Sequence, residues 1–282
     1  MSHSGSWRSG MPDVQLETGL ALACYGQQFV QQAADGQVLF PRRQLQRQFA
    51  GQIRAEHGVG YWHEQPVYLL QLQHPPAQTS ALHSVTARHY MLQGDVDTCR
   101  MLGFASQVAA WSDQHQFCGR CAAPMQSDPS HRRRHCAHCG LENYPRITPC
   151  MIVLVSRGDE ILLARAPRFI PGMYSVLAGH AEPGESIEGC VRREVMEETQ
   201  IRIQNLRYIT SQSWPFPHAL MLGFHASYLD GEIVPQADEL EDAAWFNIHE
   251  LPGLPMPGSI ARYLIDLHLQ QKLGQPQPVL PF

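Results

Sequence analysis

Three glutamates lie close together in RREVMEET, residues 192–199. Glu194, Glu197 and Glu198 have spacings of three and four positions, which place side chains next to each other on a helix. Like charges in this arrangement repel by roughly a few tenths of a kcal/mol per pair. Clustered carboxylates are suited to hard divalent cations such as Mg²⁺, which also bind the phosphate oxygens of a substrate. The cluster therefore points to metal-assisted chemistry on a phosphate compound.

An apolar stripe leads into this cluster along the predicted helix. Counting from position 187, the positions i, i+3, i+4, i+7 and i+11 share one face. They are Ile187, Cys190, Val191, Glu194 and Glu198. Because the face begins apolar, its acidic end should also be at least partly buried, and buried carboxylates must be paired or neutralised. We expect Arg193 to point away from the stripe, which leaves divalent cations as the counter-charge; the alternative is a solvated face with ordinary ion pairs.

Two CxxC pairs, fourteen residues apart, form the second group of residues that could bind a metal or react. They supply Cys118, Cys121, Cys136 and Cys139. Four thiolates can enclose one tetrahedral Zn²⁺ per chain and leave no position for water, so the metal would be structural. The alternative is a set of buried or redox-active thiols. The other cysteines are expected to be small buried apolar residues: Cys24, Cys99, Cys150 and Cys190.

A short basic segment, HRRRH, lies between the two cysteine pairs at residues 131–135. A basic loop on a zinc ribbon can bind nucleic-acid phosphates. A solvated loop explains the sequence equally well, and no aromatic residues interleave the arginines to stack on bases.

The elements that must position these residues follow from local patterns. Ser186 is a good N-cap and Glu188 favours the positive end of a helix dipole, so a helix is predicted over residues 186–199. Two strands around an Arg157-Gly158-Asp159 turn are predicted for CMIVLVSRGDEILLARA, and further strands for LMLGFHASYLD and DAAWFNIHEL. GSIARYLIDLHLQQKL is predicted to be an amphipathic closing helix.

The amino-terminal part has a different pattern, with apolar stretches such as GQVLF and PVYLLQLQ separated by Gly and Pro. A connecting helix is predicted over residues 97–115. We therefore predict an α+β protein with a β-rich domain at 1–112, a zinc-ribbon insert at 113–145 and an α/β-patterned domain at 146–282.

Composition excludes several classes of protein. The chain has 282 residues, 44% hydrophobic residues and a formal net charge of -5, so it is globular and has no overall basic field for nucleic acid. No apolar run approaches the roughly 18 residues that span a bilayer, and the first residues lack the apolar region of a signal peptide. The expectation is a cytoplasmic protein without a membrane partner.

The whole string around the glutamates resembles the Nudix box of nucleoside-diphosphate-linked-moiety hydrolases. The pattern is Gly, five residues, Glu, seven residues, then Arg-Glu-apolar-any-Glu-Glu-any-Gly-apolar. The matching positions are Gly179, Glu185, Arg193, Glu194, Val195, Glu197, Glu198 and Ile201. Gln200 stands where the pattern has Gly, which would supply a left-handed C-cap.

This resemblance implies a Nudix fold, a mixed β-sheet between helices. It also implies more than one Mg²⁺ or Mn²⁺ ion, held by Glu194, Glu197 and Glu198 with the main-chain carbonyl of Ala178. Gly179, Glu185 and Arg193 would be structural residues of the box.

A second string, SQSWPFPHALM at residues 211–221, resembles the SQPWPFPxS signature of the NADH pyrophosphatase branch. Ser213 and Ala219 depart from it. A tryptophan and a phenylalanine held by prolines would form a rigid aromatic platform for a nucleotide ring; an apolar turn packed in the core is the alternative. The predicted substrate contacts in this string are Gln212, Ser213, Trp214, Pro215, Phe216, Pro217, His218 and Ala219.

The branch resemblance implies further roles by position. Tyr144 would stack on a base, and Glu239 would be a further metal-binding carboxylate or a base. Arg88 and Ala261 would contact substrate, as would His180, which stands where this branch is expected to have an aromatic residue. Members of the branch are homodimers, so a homodimer is expected.

The function expected from this resemblance is metal-dependent cleavage of NAD(H) to NMN(H) and AMP, together with removal of NAD caps from RNA 5′ ends. One alternative is a Nudix hydrolase of another dinucleotide such as ADP-ribose. Another is a zinc-ribbon RNA-binding protein whose Nudix domain is catalytically silent.

Overall fold

The computed structural model describes residues 6–93, 95–128 and 130–279. The chain forms two compact units. The first unit extends to Arg146 and also includes Pro215–Pro217, and the second comprises Ile147–Trp214 and the chain from His218 onward. No helix in the described ranges is long and apolar enough to cross a membrane. The ribbon is counted within the first unit, and the division into three domains stays a prediction.

The first unit contains a seven-stranded sheet and three helices. The strand order is β1-β5-β6-β2-β3-β7, with β4 paired to β2; β2 and β6 are parallel and the other neighbours are antiparallel. The strands are β1 Trp7–Ser9, β2 Leu20–Tyr25, β3 Gln28–Gln32, β4 Phe40–Pro41, β5 Ile53–Trp62, β6 Gln65–Leu72 and β7 Leu82–Thr86. The helices are α1 Arg42–Gln48, α2 Ala87–Gln93 and α3 Val96–Gln114.

Helix α3 closes one face of this sheet, as its sequence pattern predicts. Its apolar face is buried against strand residues including Leu22, Val67 and Leu69. The prediction over residues 97–115 is therefore confirmed to within one residue at each end. PVYLLQLQ forms β6, whereas in GQVLF only Phe40 reaches a strand because Gly36 turns the chain at φ 74°.

A three-stranded antiparallel sheet follows, in the order β10-β9-β8. Its strands are β8 Gln126–Asp128, β9 Arg133–His135 and β10 Glu142–Asn143. It carries its own small cluster of buried residues around Cys118, Met125 and Cys136. Such a short segment buries little apolar surface, so it needs a cross-link such as a metal.

The second unit is a six-stranded mixed sheet between two helices. Strand order is β14-β15-β11-β12-β16, with β13 paired to β11; β11 and β15 are parallel and the other neighbours are antiparallel. The strands are β11 Thr148–Arg157, β12 Glu160–Arg165, β13 Leu177–His180, β14 Arg202–Trp214, β15 Ala219–Asp230 and β16 Asp242–Asn247. The helices are α4 Ile187–Thr199 and α5 Ile260–Leu273.

Strand β11 shows how the sheet separates the two helices. Met151, Val153 and Val155 pack in the cluster that contains the apolar residues of α4. Alternate residues such as Ile152 and Leu154 pack in the cluster that contains the apolar residues of α5. Because successive strand side chains point to opposite faces, α4 and α5 lie on opposite faces of the sheet. The predicted mixed sheet between helices is confirmed.

Both ends of α4 have the predicted geometry. The Ser186 hydroxyl accepts a hydrogen bond from the Gly189 amide at 3.1 Å, which caps the first turn. At the other end Gln200 adopts φ 58° and ψ 20°, the left-handed conformation that the Nudix pattern reserves for glycine. Its side-chain amide donates to the Met196 carbonyl at 3.1 Å and so partly offsets the backbone cost.

Candidate active site and zinc site

Helix α4 places its three glutamates in different environments. Cys190, Val191 and Val195 anchor the helix in the core of the second unit. Glu198 follows on the same side and is only 5% exposed, whereas the Glu197 side chain is 52% exposed. The stripe therefore does run from apolar to acidic while remaining buried.

Arg193 stabilises the box by donating hydrogen bonds to several partners at once. Its guanidinium makes a bidentate pair with Glu185, with both N···O distances at 2.9 Å. Nη1 also donates to Glu194 at 3.0 Å and Glu197 at 2.9 Å, and Nη2 donates to the His180 carbonyl at 3.0 Å. Hydrogen bonding to Arg193 lowers the pKa of Glu185 to about 2. Arg193 thus locks the loop before α4 onto the helix.

The expectation that Arg193 points away from the acidic stripe was wrong. A guanidinium at the end of a long side chain can reach back to carboxylates on neighbouring turns, so it contacts Glu194 and Glu197. It does not reach Glu198: within the described residues that carboxylate has no hydrogen bond or ion pair. The conclusion that Arg193 cannot neutralise all three glutamates therefore stands.

Burial is the main influence on Glu198. Burial, followed by the charges of Glu194 and Glu239, raises the pKa of Glu198 to about 8. The pKa of Glu194 is raised as well, again mainly by burial. These are carboxylates that the fold holds together at an energetic cost, an arrangement that is common at functional sites.

The segment between β15 and β16 is attached to the end of α4. The amide of Val234 donates to the Thr199 carbonyl and the amide of Gln236 donates to the Glu198 carbonyl, each at 3.0 Å. The exposed Glu239 follows in the same segment, and its charge acts on Glu194 and Glu198. Thus the fold brings Glu239, forty-one positions after Glu198 in the numbering, to the acid cluster.

Arg168 is a basic residue near this cluster that sequence reasoning missed. It lies in the exposed loop after β12, and its charge lowers the pKa of Glu198 against the larger effect of burial. An arginine in the Pro- and Gly-containing stretch before the box was the available signal.

Strand β13 brings the backbone against the acid helix. Ala178 pairs with Ile152 and Gly179 with Met151 in antiparallel register. A Cβ atom at Gly179 would lie 2.0 Å from Cδ of Glu194. A side chain at position 179 would therefore displace the Glu194 carboxylate, which explains why the box begins with glycine.

The donor set on α4 fits a hard divalent cation. The helix carries three carboxylates, one of them buried without a cationic partner in contact, and the Glu194 carboxylate lies against the backbone of β13 at Gly179. Within the described residues these carboxylates do not converge as closely as the cysteines do, since Arg193 holds two of them. A cation would have to compete with Arg193 for Glu194 and Glu197.

The four ribbon cysteines converge as predicted. Their Sγ atoms all lie within 4.8 Å of one another, and the pairs Cys118–Cys139 and Cys121–Cys136 are each 3.5 Å apart. Four sulfurs at about 2.3 Å from a common Zn²⁺ would be roughly 3.8 Å apart, so the cluster fits the ion. The Arg120 amide also donates to Cys118 Sγ at 3.4 Å. The predicted structural zinc site is confirmed, and the four remaining cysteines are buried as expected.

The arginines of HRRRH are not free in solvent: residues 133–135 form β9, and only His131, in the preceding turn, is strongly exposed. Arg133 pairs with Asp128 at 2.6 Å and Glu142 at 2.5 Å. Arg134 is buried and donates to the Ser112 hydroxyl at 3.0 Å. Arg132 donates to the Gly10 carbonyl and lies 4.6 Å from the Phe104 ring centroid. All three arginines serve the packing of the first unit, which argues against the hypothesis that they bind RNA.

The aromatic string forms the turn between β14 and β15. Trp214 pairs with Ala219 in register and packs in the α5 cluster of the second unit. Phe216 instead packs in the main cluster of the first unit, where the Arg88 guanidinium lies 4.8 Å from its ring centroid. Each ring is thus assigned to the apolar cluster of its own unit, and the aromatic platform for a nucleotide ring stays a prediction.

Gln212 has a local role at the start of α5. It is buried, and its amide donates to the Gly258 carbonyl and accepts from the Ile260 amide, each at 2.8 Å. Ser259 caps the same helix by accepting from the Arg262 amide. With both ends of its amide engaged, Gln212 positions α5 rather than facing a ligand.

The remaining predicted contacts differ in exposure. Tyr144, in the first unit, is 55% exposed and donates to Glu142 at 3.0 Å. His180 and Ser213 are exposed, and Ala261 is buried in the first turn of α5. The others in the turn are buried Pro215, exposed Pro217, half-buried His218 with its ring 2.9 Å from the Thr148 hydroxyl, and buried Ala219.

Family comparisons agree with this arrangement. Residues 145–267 match the NUDIX domain, 17–111 the NADH pyrophosphatase-like rudimentary NUDIX domain, and 113–144 the NADH pyrophosphatase zinc ribbon domain. A mixed sheet with an acid helix on one face, joined to a zinc ribbon, defines a metal-dependent Nudix hydrolase, a class that uses Mg²⁺ or Mn²⁺.

Curated relatives specify the branch. A protein of Pseudomonas aeruginosa (strain LESB58) named NAD-capped RNA hydrolase NudC is 52% identical, with 98% of each chain covered. One of Pseudomonas syringae pv. tomato with the same name is 51% identical over the full length of both. The chain belongs to the NADH pyrophosphatase branch of the Nudix hydrolase family, alongside these proteins. Among solved structures, a NUDIX hydrolase from Nitrosomonas europaea is similar, with TM-score 0.46, 22% identity, and 58% of this chain and 97% of that chain covered.

Proposed function

We propose that this chain hydrolyses the pyrophosphate bond of NAD(H) to NMN(H) and AMP, and removes NAD caps from RNA, leaving 5′-monophosphate ends. Relatives with 50–52% identity over nearly the whole chain are named NAD-capped RNA hydrolases. The observation that carries the proposal is the intact glutamate set of α4, with Glu198 buried beyond the reach of Arg193. A silent Nudix domain would have no reason to keep a buried acid at this cost.

Each cleavage consumes one water. The water oxygen bonds to one phosphorus, the bond from that phosphorus to the bridging oxygen breaks, and the bridging oxygen leaves on the other phosphate. Bound divalent cations neutralise the diphosphate and stabilise the leaving oxygen. We assign their ligands to Glu194, Glu197, Glu198, Glu239 and the carbonyl of Ala178.

The remaining roles, proton transfer and positioning of the acids, are assigned to protein side chains. Glu239 is exposed and beside the cluster, so it can accept the proton of the attacking water if it is not itself a ligand. Glu185 and Arg193 hold the loop before α4, and Gly179 leaves room for Glu194. These residues keep the acids in place before substrate arrives, which lowers the reorganisation cost of the reaction.

Substrate recognition is proposed for exposed or half-buried aromatic and charged groups and for the residues that shape the turn around them. Tyr144 supplies an aromatic face for a base, and His180 a smaller one. Arg88 supplies positive charge beside Phe216. The turn residues Ser213, Trp214, Pro215, Phe216, Pro217, His218 and Ala219, and Ala261, complete the proposed set. Gln212 is included only as a residue that positions α5.

We also propose a homodimer in the cytoplasm, with a β-rich domain at 1–112, a ribbon at 113–145 and the Nudix domain at 146–282. Sedimentation of the purified chain tests the dimer directly. A monomer at working concentrations would remove that part of the proposal and leave the catalytic part intact.

Product analysis tests the catalytic proposal. The zinc-loaded chain is incubated with NADH, NAD, ADP-ribose and NAD-capped RNA, each with Mg²⁺ or Mn²⁺, and products are separated by chromatography. We expect NMN(H) and AMP from NADH and NAD, and 5′-monophosphate RNA from the capped RNA. Cleavage of ADP-ribose alone would identify another dinucleotide hydrolase, and no cleavage of any substrate would favour the silent RNA-binding alternative.

A matched pair of variants controls this assay. Glu198→Gln removes the buried carboxylate, whereas Glu188→Gln changes an exposed carboxylate in the first turn of the same helix. Only the first should abolish product formation.

A further inference from the structure

A cavity on the α5 face of the second unit is lined almost entirely by polar side chains. Its volume is about 360 Å³. It lies between strands β11, β14 and β15 and helix α5, on the opposite face of the sheet from the acid helix. Its lining residues are Ser156, Asn205, Arg207, His225, Ala226, Ser227, His268 and Gln271.

The pairing of the strands brings the polar groups together. Arg207 of β14 is directly opposite His225 of β15, so both side chains share one face. Ser156 of β11 is opposite Ser227 of β15 in the parallel ladder. A register irregularity between Gln204 and Arg207 marks a bulge at the edge of the cavity. Bulges of this kind re-aim side chains and occur next to functional sites.

The backbone at the bulge also helps to shape the cavity. Asn205, inside the bulge, has φ 51°, a left-handed conformation that asparagine adopts more readily than most residues with a side chain. The chain turns here so that Asn205 and Arg207 both line the cavity.

His268 lines the cavity from α5. It is only 7% exposed, and its Nε2 is a buried polar atom without a hydrogen-bond partner in the described structure. Buried polar groups are normally satisfied, so the packing around this ring leaves one polar group unsatisfied beside the cavity. His225, whose ring centroid is 6.0 Å from that of His268, already uses Nε2 on the Leu264 carbonyl at 3.0 Å.

The charges around the cavity select an anion. Arg207 lines it and has no ion pair among the described residues, whereas Arg202 on the same strand is paired with Asp230 at 2.5 Å. Lys272 acts on His268 from the next turn and is partly offset by Asp159, 3.4 Å away. Burial lowers the pKa of both histidines, that of His225 to about 4, so both rings are neutral at pH 7. The side-chain amides and hydroxyls beside Arg207 can donate hydrogen bonds to an anion.

We propose that this cavity binds a phosphate group of a nucleotide, either free or within an RNA chain, at a site separate from the acid cluster of α4. Arg207 supplies the charge and a planar set of donors suited to phosphate oxygens. Asn205, Gln271 and the two serines supply further polar contacts, and the His268 ring forms part of the wall. The volume admits a phosphate with an attached sugar and falls within the range of small-ligand pockets. This site goes beyond the proposed hydrolysis and does not depend on it.

Histidine NMR provides a test that does not need catalysis. The zinc-loaded protein without added Mg²⁺ or Mn²⁺ is titrated with inorganic phosphate, with AMP and with a short 5′-phosphorylated oligoribonucleotide. The ring signals of His268 are identified from the His268→Gln variant. We expect saturable shifts of the His268 signals, and loss of at least about tenfold in affinity in Arg207→Gln, since a charge-assisted hydrogen bond is removed.

Arg202→Gln is the matched control because it removes an exposed arginine of the same strand that does not line the cavity. Its binding should equal that of the wild type. Tighter binding of AMP than of the oligonucleotide would identify a free nucleotide as the ligand, and the reverse would identify RNA. The proposal is overturned if none of the three probes shifts His268 saturably, or if Arg207→Gln binds as the wild type does. Neither result would bear on hydrolysis, which is assayed separately.

Discussion

The zinc ribbon and the acid helix are both metal-binding regions, but they are built differently. In the ribbon, four sulfurs already lie within 4.8 Å of one another, two on buried and two on half-buried cysteines. On α4, two of three carboxylates are held by Arg193, and the third, Glu198, is buried with a pKa raised to about 8. A closed set of soft ligands suits a permanent structural ion. A strained set of hard ligands suits cations that come and go with a phosphate substrate.

The two sites differ in the source of the free energy that holds their ligands together. In the ribbon the ion supplies folding energy, because residues 118–139 bury few apolar groups of their own. On α4 the folded core supplies the energy that keeps repelling carboxylates together. Removing the metal should therefore unfold the first region, whereas the second should stay folded with a reduced free energy of unfolding. Four predictions follow from the comparison in order of decreasing effect.

The largest effect is expected from Cys136→Ser. Cys136 is almost fully buried in the ribbon, and a structural Zn²⁺ contributes about 10–16 kcal/mol to the folding of isolated zinc modules. We expect loss of stoichiometric zinc and rapid proteolysis between residues 113 and 145. Metal analysis and limited proteolysis measure both outcomes. Cys24→Ala, which changes a buried cysteine of β2, should keep its zinc. One tightly bound ion per chain in Cys136→Ser would contradict the assignment.

Glu198→Gln should reduce turnover of NAD(H) while leaving zinc content and fold unchanged. Removing one preorganised group from a charged transition state typically costs about 10²–10³ in rate, and we expect a loss of at least this size. Steady-state kinetics with Mg²⁺ measure it, with Glu188→Gln as the control on the same helix. A variant as fast as the wild type would show that the buried acid is structural.

The pH dependence of stability should separate the two kinds of carboxylate in the box. The raised pKa of Glu198 means that the folded state binds its proton more tightly than the unfolded state does. Glu198 therefore contributes most to stability at a pH below the pKa of glutamate in the unfolded state, near 4.3. This contribution is lost as the pH rises through about 8. Without divalent cations, the free energy of unfolding of the wild type should fall by roughly a few kcal/mol between pH 5 and 8, relative to that of Glu198→Gln.

Denaturant unfolding at several pH values measures this difference, and added Mg²⁺ should shrink it. Glu185 behaves in the opposite sense: its pKa is lowered to about 2 by Arg193, so its contribution is present at neutral pH and lost as pH falls below about 4. If the free energies of unfolding of the wild type and Glu198→Gln change in parallel between pH 5 and 8, the pKa of Glu198 is not raised.

The smallest effect concerns the end of α4. Gln200→Gly should raise the free energy of unfolding by up to about 1 kcal/mol, because glycine adopts the left-handed conformation without strain. The exposed hydrogen bond to Met196 that is lost offsets part of this gain. Gly274 ends α5 in the same conformation, so Gly274→Gln is the matched reverse change and should be destabilising by a similar amount. Equal stability of all three proteins in urea would refute the capping argument.

Local patterns in the chain were sufficient for much of the fold and of the site. Ser186 and the apolar stripe predicted α4, its N-cap and the burial of Glu198, because capping and helical periodicity act over a few residues. The CxxC spacing likewise predicted the cysteine cluster, since each pair forms a short knuckle. The position of Gln200 predicted its left-handed backbone.

Long-range packing decided the rest. The reach of Arg193 to Glu194 and Glu197, the burial of Arg134 against Ser112, and the use of Gln212 to cap α5 all depend on partners that spacing does not reveal. Long polar side chains have many rotamers of similar energy, and only the surrounding packing selects one. The same reason applies to the α5 cavity: Arg207 and His268 are 61 positions apart in the numbering and meet only because a sheet and a helix pack together.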